Sequence, residues 1–307
     1  MFLNHFFITY SMYSLIDEYK KLVYEFNGNS KNSFILKILP IWNKYWKDSE
    51  EILYAIGLAN SQIFLGKNNA RNEYIITKHL AKLVTNNISY SFVPLISAKK
   101  VDILPKDIQS VIPELHKIPN QKYYLLTQPK LWECSVTDIK NTDIIIFQLQ
   151  WGLFIAYKLF RFIHGDILNP PNHNLLCYTY KLPGINSLIV QYKHNIWQFP
   201  IIGEELPVIV LFDYGYSNFD YKNIHIHHKI PYINMEESTA EKKWKLDIQG
   251  YNLFLDDYGI KRKIPKIPLK DYSRLLEGFD KYKISLADFR KIDKSKYLLF
   301  DGNTKKF

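Results

Sequence analysis

Two aspartates stand where an apolar run gives way to a turn. Asp166 closes the tripeptide His164-Gly165-Asp166, directly after a long apolar stretch. Asp213 ends a second apolar run and is followed by a turn that contains a glycine. Two carboxylates held in this way could serve phosphoryl transfer, in which one acid holds Mg²⁺ and the other lies near the attacking hydroxyl.

A cation and a second acid precede these aspartates in the chain. Lys37 lies in the middle of an apolar strand pattern, where it could meet phosphate groups. Glu73 lies in the first turn of a predicted helix over residues 72–84, from which it could pair with Lys37. In phosphoryl transfer the protein forms few covalent bonds itself. It acts mainly by positioning the reactants and compensating charge, which charged residues of this kind can do.

Each of these residues also has a purely structural interpretation. Lys37 could be an exposed edge residue of a sheet, and Glu73 an acid that the helix dipole favours in the first turn. His164 could be a core histidine with satisfied hydrogen bonds, Asp166 a loop cap, and Asp213 part of a common turn. The chemical interpretation is favoured by the conjunction, because four signals occur in a consistent order on suitable elements.

The elements that must position these residues form an α+β pattern. Strands are predicted at 22–26 and 33–39 as a hairpin, the second stopped by Pro40, and at 123–127. Helices are predicted at 72–84, at 143–162 and again from residue 236 onward. Short strands are predicted at 175–178, 187–192 and 207–212. The order is strands with one helix, followed by a mainly helical part with short strands around a loop.

Four segments resemble motifs of the protein kinase-like superfamily. Residues 34–37 resemble its VAIK strand, residues 163–167 its HRD catalytic loop in the HGD spelling, and residues 211–217 its DFG segment. Residues 246–251 resemble the helix that follows the activation segment. Segments 160–166 and 207–217 are similar to phrases found in the kinase-like proteins of large DNA viruses. The resemblance covers roughly residues 20–260.

The resemblance implies a bilobal protein-kinase-like fold. A small β-rich N-lobe with one αC-like helix would span residues 21–128, and a larger, mainly helical C-lobe residues 129–307. Residues 1–20 would be an N-terminal extension or the start of the N-lobe.

The resemblance also assigns the reacting groups, with ATP and Mg²⁺ as cofactors. Asp166, in one catalytic loop with His164, would act as the positioned general base for a Ser or Thr hydroxyl of a protein substrate. Asp213 would hold Mg²⁺. Asn174 is favoured over Asn172 as the second metal ligand.

The remaining assignments concern nucleotide binding and support of the loop. Lys37 would contact the inner phosphates and be fixed by Glu73. Leu126 and Thr127 would lie in the hinge strand that meets adenine through its backbone. Asp247 would be a structural brace of the catalytic loop.

The sequence departs from the kinase pattern in several places. Residues 8–20 contain no glycine, so no Gly-rich loop precedes Lys37. Pro171 occupies the place of the catalytic-loop Asn, and Gly165 that of the HRD Arg. Two alternatives therefore stay open: a pseudokinase that acts as a binding or scaffold module, and a small-molecule kinase of the same superfamily.

The composition indicates which binding partners and which cellular compartment to expect. The net charge of +10 allows a nucleic-acid partner, but the charge is spread along the chain, so this is not favoured. Two cysteines form no disulfide framework, which favours an intracellular, cytoplasmic protein, in the host cytoplasm or virion if it is viral.

Two further features have competing interpretations. The apolar run 144–160 approaches the length of a membrane span, yet Gln148, Gln150 and Lys158 favour a buried core helix and no membrane span. His225 and His227 share one face of a predicted strand and could bind a transition metal, with His228 beside them. Because no acidic ligand is predicted in register, an exposed or partly packed cluster is favoured.

Overall fold

The computed structural model of the protein describes residues 22–26, 34–41, 69–109, 117–131, 142–167, 174–227 and 239–303. The chain divides into two compact units. The first comprises Met1–His79 and Pro94–Leu131, and the second Leu80–Val93 and Trp132–Phe307. The predicted α+β class is confirmed, with a β-rich N-terminal part and a C-terminal part that contains the long helices.

A four-stranded antiparallel sheet dominates the N-terminal part. Its strands lie in the order β1-β2-β4-β3, and the predicted hairpin of β1 with β2 is confirmed. In chain order the elements are β1 (Leu22–Phe26), β2 (Phe34–Ile41), helix α1 (Asn69–Thr85), β3 (Ser97–Val101), the short helix α2 (Lys106–Gln109) and β4 (Lys122–Pro129).

Strand β2 does not stop at Pro40, contrary to the sequence-based prediction. It continues to Ile41, and Pro40 lies opposite Tyr123 of β4. The ladder between β1 and β2 ends at the pair Leu22–Ile38, so at Pro40 only β4 is paired with β2 among the described strands. A proline fits within a strand only where no ladder requires its missing N–H.

Helix α1 packs on the sheet through aromatic and aliphatic side chains. Tyr74 of α1 stacks on Tyr124 of β4, with ring centroids 4.3 Å apart. Leu39 and Leu126 of the sheet and Ala70 of the helix are buried in the same cluster. Offset stacking adds directional preference to apolar burial, so this contact fixes which face of α1 meets β2 and β4.

Among its described residues, the C-terminal part combines two long helices with seven strands, more strand than the sequence predicted. Its elements are α3 (Thr142–Phe160), β5 (Leu175–Lys181), β6 (Ser187–Tyr192), β7 (Asn195–Pro200), β8 (Glu205–Leu211), β9 (Phe219–Tyr221), β10 (Ile224–Ile226), α4 (Ala240–Asp257), α5 (Leu286–Phe289) and β11 (Tyr297–Asp301). Strand β5 pairs with β8 and β9 with β10, while β6 lies between β7 and a parallel β11.

The predicted strands at 175–178, 187–192 and 207–212 are confirmed. The prediction of helix from residue 236 onward holds only for α4. After Asp257 the chain forms short 3₁₀ turns and the four-residue helix α5 before it enters β11. Four prolines or glycines between 259 and 278 end any longer helical run, since neither residue type sustains a helix interior.

Helix α3 forms the core of the second unit. It is long and apolar enough to cross a membrane by length and composition, but most of it is buried inside the protein. Two of its side-chain donors find partners there: Gln148 Nε2 donates to Pro207 O at 2.8 Å, and Trp151 Nε1 to Ile88 O at 2.6 Å. Side-chain N–H donors with internal partners of this kind fit the predicted core helix.

The carboxylate of Asp143, at the start of α3, binds side chains of the C-terminal segment. Asp143 accepts hydrogen bonds from Arg262 (2.8 Å) and Tyr282 (2.7 Å) and pairs with Lys281 (2.7 Å). Burial raises the pKa of Asp143, but the hydrogen bonds from Lys281, Tyr282 and Arg262 outweigh it and lower that pKa to about 2. The folded state therefore favours the ionised carboxylate.

Replacing Asp143 with Asn should destabilise the protein in a pH-dependent way. A carboxyl whose pKa falls from its ordinary value near 4 to about 2 stabilises the fold by about 2 kcal/mol at neutral pH. That stabilisation is present above about pH 4 and is lost as the pH falls through about pH 2. Urea unfolding of Asp143→Asn and of the wild type from neutral to acidic pH measures the effect.

Asp280→Asn is the matched control for this prediction. Asp280 forms an exposed ion pair with Lys283, so its loss should change the free energy of unfolding by less than about 1 kcal/mol. A difference between Asp143→Asn and the wild type that stays constant over the whole pH range would contradict the assignment.

Candidate active site

A buried ion pair joins β2 to α1 in the first unit. The Lys37 ammonium contacts the Glu73 carboxylate, and the two residues are 7% and 2% exposed. Lys37 lies in an inner strand, opposite Val23 of β1 and Leu126 of β4. It is therefore not the exposed edge residue that its sequence context also allowed, and the predicted pairing of Lys37 with Glu73 is present in the structure.

Glu73 occupies a different place in its helix from the one predicted. Helix α1 begins at Asn69, so Glu73 lies beyond the first turn, which contains no acidic residue. The dipole interpretation of Glu73 is therefore wrong, since the dipole effect falls off within the first turn. The carboxylate is instead directed toward the sheet, and Thr77 Oγ1 donates to the Glu73 carbonyl oxygen at 2.7 Å.

The hinge assignment of Leu126 and Thr127 requires a correction. Strand β4 is an inner strand, and both residues are paired with β2 on one side and with β3 on the other. The Thr127 carbonyl oxygen already accepts a hydrogen bond from Ile96 N at 2.9 Å. The ladders engage these backbone groups, so Leu126 and Thr127 do not present them to adenine in this arrangement.

In the second unit, His164 connects the loop after α3 to the end of β8. The ring is buried, and its Nε2 lies 2.8 Å from the carbonyl oxygen of Phe212. The carbonyl oxygen of His164 accepts a hydrogen bond from Ser217 Oγ at 2.9 Å. These two contacts join the loop that contains His164 to the segment around Asp213, and the catalytic role of His164 stays a prediction.

Gly165 is the residue that the loop geometry demands. Its φ is +81°, and a Cβ there would lie 2.7 Å from the carbonyl oxygen of Tyr216. A side chain would therefore be strained in the backbone and would collide with its neighbour. The same geometry explains why no Arg stands at this position.

Asp247 of α4 supports this loop through hydrogen bonds to its backbone. The Gly165 N–H lies 3.0 and 2.9 Å from the two carboxylate oxygens of Asp247, which is almost completely buried. Burial raises the pKa of Asp247 to about 7, although the N–H groups of Gly165 and His164 and the Lys243 ammonium act to lower it. The contacts are those of the predicted structural brace.

Asp166 and Asn174 lie beside each other. Between them in the chain are residues 168–173, which are outside the described residues. Asn174 Nδ2 donates to the carbonyl oxygen of Asp166 at 2.9 Å and to its Oδ2 at 3.2 Å. Asn174 has a φ of +48° and immediately precedes β5. The alternative ligand Asn172 lies, with Pro171, outside the described residues.

Asp213 occupies the turn after β8 in a left-handed conformation, with φ of +63°. This conformation costs a non-glycine residue about 1–2 kcal/mol and is enriched at functional sites. The neighbouring backbone is held on both sides: Phe212 N donates to Asn174 O at 3.1 Å, and Tyr214 OH to Leu211 O at 2.6 Å. The turn is thus fixed next to Asn174.

The donor chemistry around Asp213 and Asn174 fits Mg²⁺. This ion takes oxygen ligands and keeps several waters, so one carboxylate and one amide oxygen are sufficient protein ligands. The half-buried Asp213 carboxylate would supply the first, and the Asn174 amide, whose nitrogen points to Asp166, would supply its oxygen as the second.

The histidine cluster has an acidic neighbour that the sequence did not reveal. Asp220 of β9 lies opposite His225 of β10, and its Oδ1 is 3.0 Å from His225 Nδ1 and 2.8 Å from His227 Nε2. Both histidines are exposed, and His228 lies outside the described residues. Within the described ranges, no group of three or more His, Cys, Asp or Glu residues is arranged to hold a metal ion.

Comparisons with known proteins give structural similarity alone. No protein-family model matches the sequence, and no curated protein is similar to it. The crystal structure of the Rio2 kinase from Chaetomium thermophilum is 13% identical, with a TM-score of 0.42, over 89% of this chain and 65% of that chain. Its ADP/Mg²⁺-phosphoaspartate complex is 14% identical, with a TM-score of 0.39, over 89% and 64%. This chain thus spans slightly less than two thirds of the length of those proteins.

Proposed function

We propose that this protein is a kinase-like phosphotransferase that moves the γ-phosphate of ATP, with Mg²⁺, to a Ser or Thr hydroxyl of a protein substrate. One observation carries this proposal: the Asp166 loop and the Asp213 turn are held together by the His164–Phe212 contact, while Asp247 braces the loop from α4. Two carboxylates in a fixed mutual position are what this chemistry needs.

Each residue then has a distinct task. Asp166 accepts the proton of the attacking hydroxyl or orients it, and the Asn174 amide limits the positions open to its carboxylate. Asp213 and Asn174 would hold Mg²⁺, which when bound neutralises charge on the phosphates. Lys37 binds the inner phosphates, and the Glu73 carboxylate fixes its ammonium.

A catalytically silent binding module is the second candidate. The observation that favours it is the engagement of Leu126 and Thr127 in both ladders, which removes the expected backbone contacts to adenine. Such a module would bind a partner through the same fold without transferring phosphate. Fold alone does not decide between these functions. For either function we propose a cytoplasmic location.

Thermal unfolding with and without nucleotide tests the proposed function. A ligand of the native state stabilises it by mass action, by about 2.7 kcal/mol when free ATP is 100 times its Kd. We expect ATP with MgCl₂ to raise the Tm, ATP with EDTA to raise it much less, and AMP to have little effect. ATP hydrolysis or transfer to a generic protein substrate is measured on the same sample.

The outcomes separate the two candidates. A magnesium-dependent rise in Tm with turnover supports the kinase. A rise without turnover supports a nucleotide-binding module that lacks catalysis. No rise at millimolar ATP would contradict the nucleotide roles of Lys37 and Asp213.

A further inference from the structure

A lysine that the motifs did not single out is buried next to the Asp166 loop. Lys243 of α4 is 0% exposed and lies one helical turn before Asp247. Its ammonium donates to the carbonyl oxygen of Tyr216 and to Oδ1 of Asn218, both at 2.9 Å. A completely buried ammonium is rare in a folded protein, so its position requires an explanation.

The surroundings of this ammonium link it to the candidate site. A Cβ placed on Gly165 would lie 3.4 Å from Lys243 Nζ, so the glycine leaves the space that the lysine occupies. Burial lowers the pKa of Lys243 to about 8, while the carboxylates of Asp247 and Asp166 raise it. The side chain is therefore still mainly protonated at neutral pH.

We propose that Lys243 is a positioning residue of the phosphotransfer reaction, whose ammonium ties the segment after Asp213 to α4, beside the loop that carries Asp166. The proposal rests on the proposed function for the reaction that is positioned. Lys243 itself contacts neither substrate nor nucleotide; it acts through Tyr216, Asn218 and the charge it places beside Asp166.

Other contacts join the same two segments and show what Lys243 adds. Ile163 and Asn218 exchange backbone hydrogen bonds of 3.1 and 2.9 Å, which already hold the segments side by side. Lys243 connects this pair of segments to α4, as Asp247 does for Gly165. A buried charge is costly to the fold, and an apolar side chain of similar size would often be neutral or more stable. Stability alone therefore gives no reason for a lysine here.

Replacing Lys243 with Met removes the charge and retains most of the volume. We expect kcat to fall about 10- to 100-fold, the range that loss of a hydrogen bond to a charged group produces, with KM for ATP and the magnesium-dependent rise in Tm unchanged. Lys243→Arg should keep a larger share of kcat because it keeps the charge. Lys245→Met is the matched control, since Lys245 is exposed on the same helix and should behave as wild type.

A second variant keeps the proposal testable if Lys243→Met does not fold. Asn218→Ala removes one acceptor of the ammonium and leaves the backbone bridge to Ile163 in place, and kcat should fall about 3- to 10-fold. Amide hydrogen exchange over residues 163–166 and 216–218 should be faster in both variants than in the wild type.

Two results would overturn the role of Lys243: a kcat per folded molecule that equals the wild-type value in Lys243→Met and Asn218→Ala, or unchanged exchange in both segments. A purely structural role would lower Tm and leave kcat of the folded fraction unaltered. If the wild type binds no nucleotide and shows no turnover, the proposed function fails, and the exchange measurement then tests only whether Lys243 ties residues 216–218 to α4.

Discussion

Turnover should disappear when Asp166 is replaced by Asn, while binding of ATP with Mg²⁺ survives. The Asn side chain keeps the shape that meets Asn174 but cannot accept a proton from a hydroxyl. Loss of a positioned general base lowers the rate by about 10²- to 10⁴-fold. Phosphoryl transfer is followed with radiolabelled ATP, and binding with the thermal shift, so that chemistry and affinity are measured separately.

Asp213→Asn should lose both turnover and magnesium-dependent binding, whereas Asp166→Asn should lose turnover alone. Because Asp213 is the proposed carboxylate ligand of Mg²⁺, the magnesium-dependent part of the thermal shift should be lost together with turnover. Asp256→Asn is the surface control, since that carboxylate is exposed and pairs with Lys263. If Asp166→Asn retained wild-type turnover, Asp166 would not be the base, and identical thermal shifts in Asp213→Asn and the wild type would remove Asp213 from the metal site.

Local pattern predicted most of the elements that carry the site. The strand around Lys37, the helix that contains Glu73 and the long helix before His164 follow from apolar periodicity, which depends only on neighbours in sequence. Strand β8 before Asp213 is equally clear, because a run of β-branched residues ends at the turn. These predictions concern which elements exist, and the structure confirms them.

What the sequence could not predict depends on partners distant in the chain. The start of α1 at Asn69 moves Glu73 out of the first turn, and the pairing of β4 on both edges engages Leu126 and Thr127. Asp220 lies beside the histidines only because of the β9–β10 register. Such contacts are set by tertiary packing, which a periodic pattern does not encode.

The spacing between Lys243 and Asp247 in the sequence indicates that Lys243 is buried. It stands four residues before Asp247, and residues four apart share one face of a helix. Once Asp247 is assigned a buried position, the same face must bury Lys243 as well. The spacing therefore indicates a buried charge pair on α4, although it does not reveal Tyr216 and Asn218 as its partners.

The largest effect on stability is expected at the buried ion pair of the first unit. Glu73→Gln leaves the Lys37 ammonium buried without the carboxylate that compensates its charge, which costs about 3–5 kcal/mol. Lys37→Met should cost a similar amount, because it breaks the same buried ion pair from the other side. Urea unfolding of both variants, followed by circular dichroism, measures these losses.

A double-mutant cycle shows whether the losses come from this pair. In Lys37→Met/Glu73→Leu both charges are replaced by apolar groups, so the double variant should be much more stable than the sum of the single losses predicts. Lys99→Met in the edge strand β3 is the control, because Lys99 is exposed and its loss should change the free energy of unfolding by less than about 0.5 kcal/mol. Additive losses in the cycle would contradict direct coupling of Lys37 with Glu73.

The same double variant separates stability from function. A buried ion pair that apolar groups can replace without loss of stability is retained for another reason, and in this protein the proposed reason is the binding of nucleotide phosphates by Lys37. We therefore expect the double variant to unfold at nearly the wild-type urea concentration and to show no ATP-dependent rise in Tm. Retained ATP binding in this variant would show that Lys37 has no part in the nucleotide site.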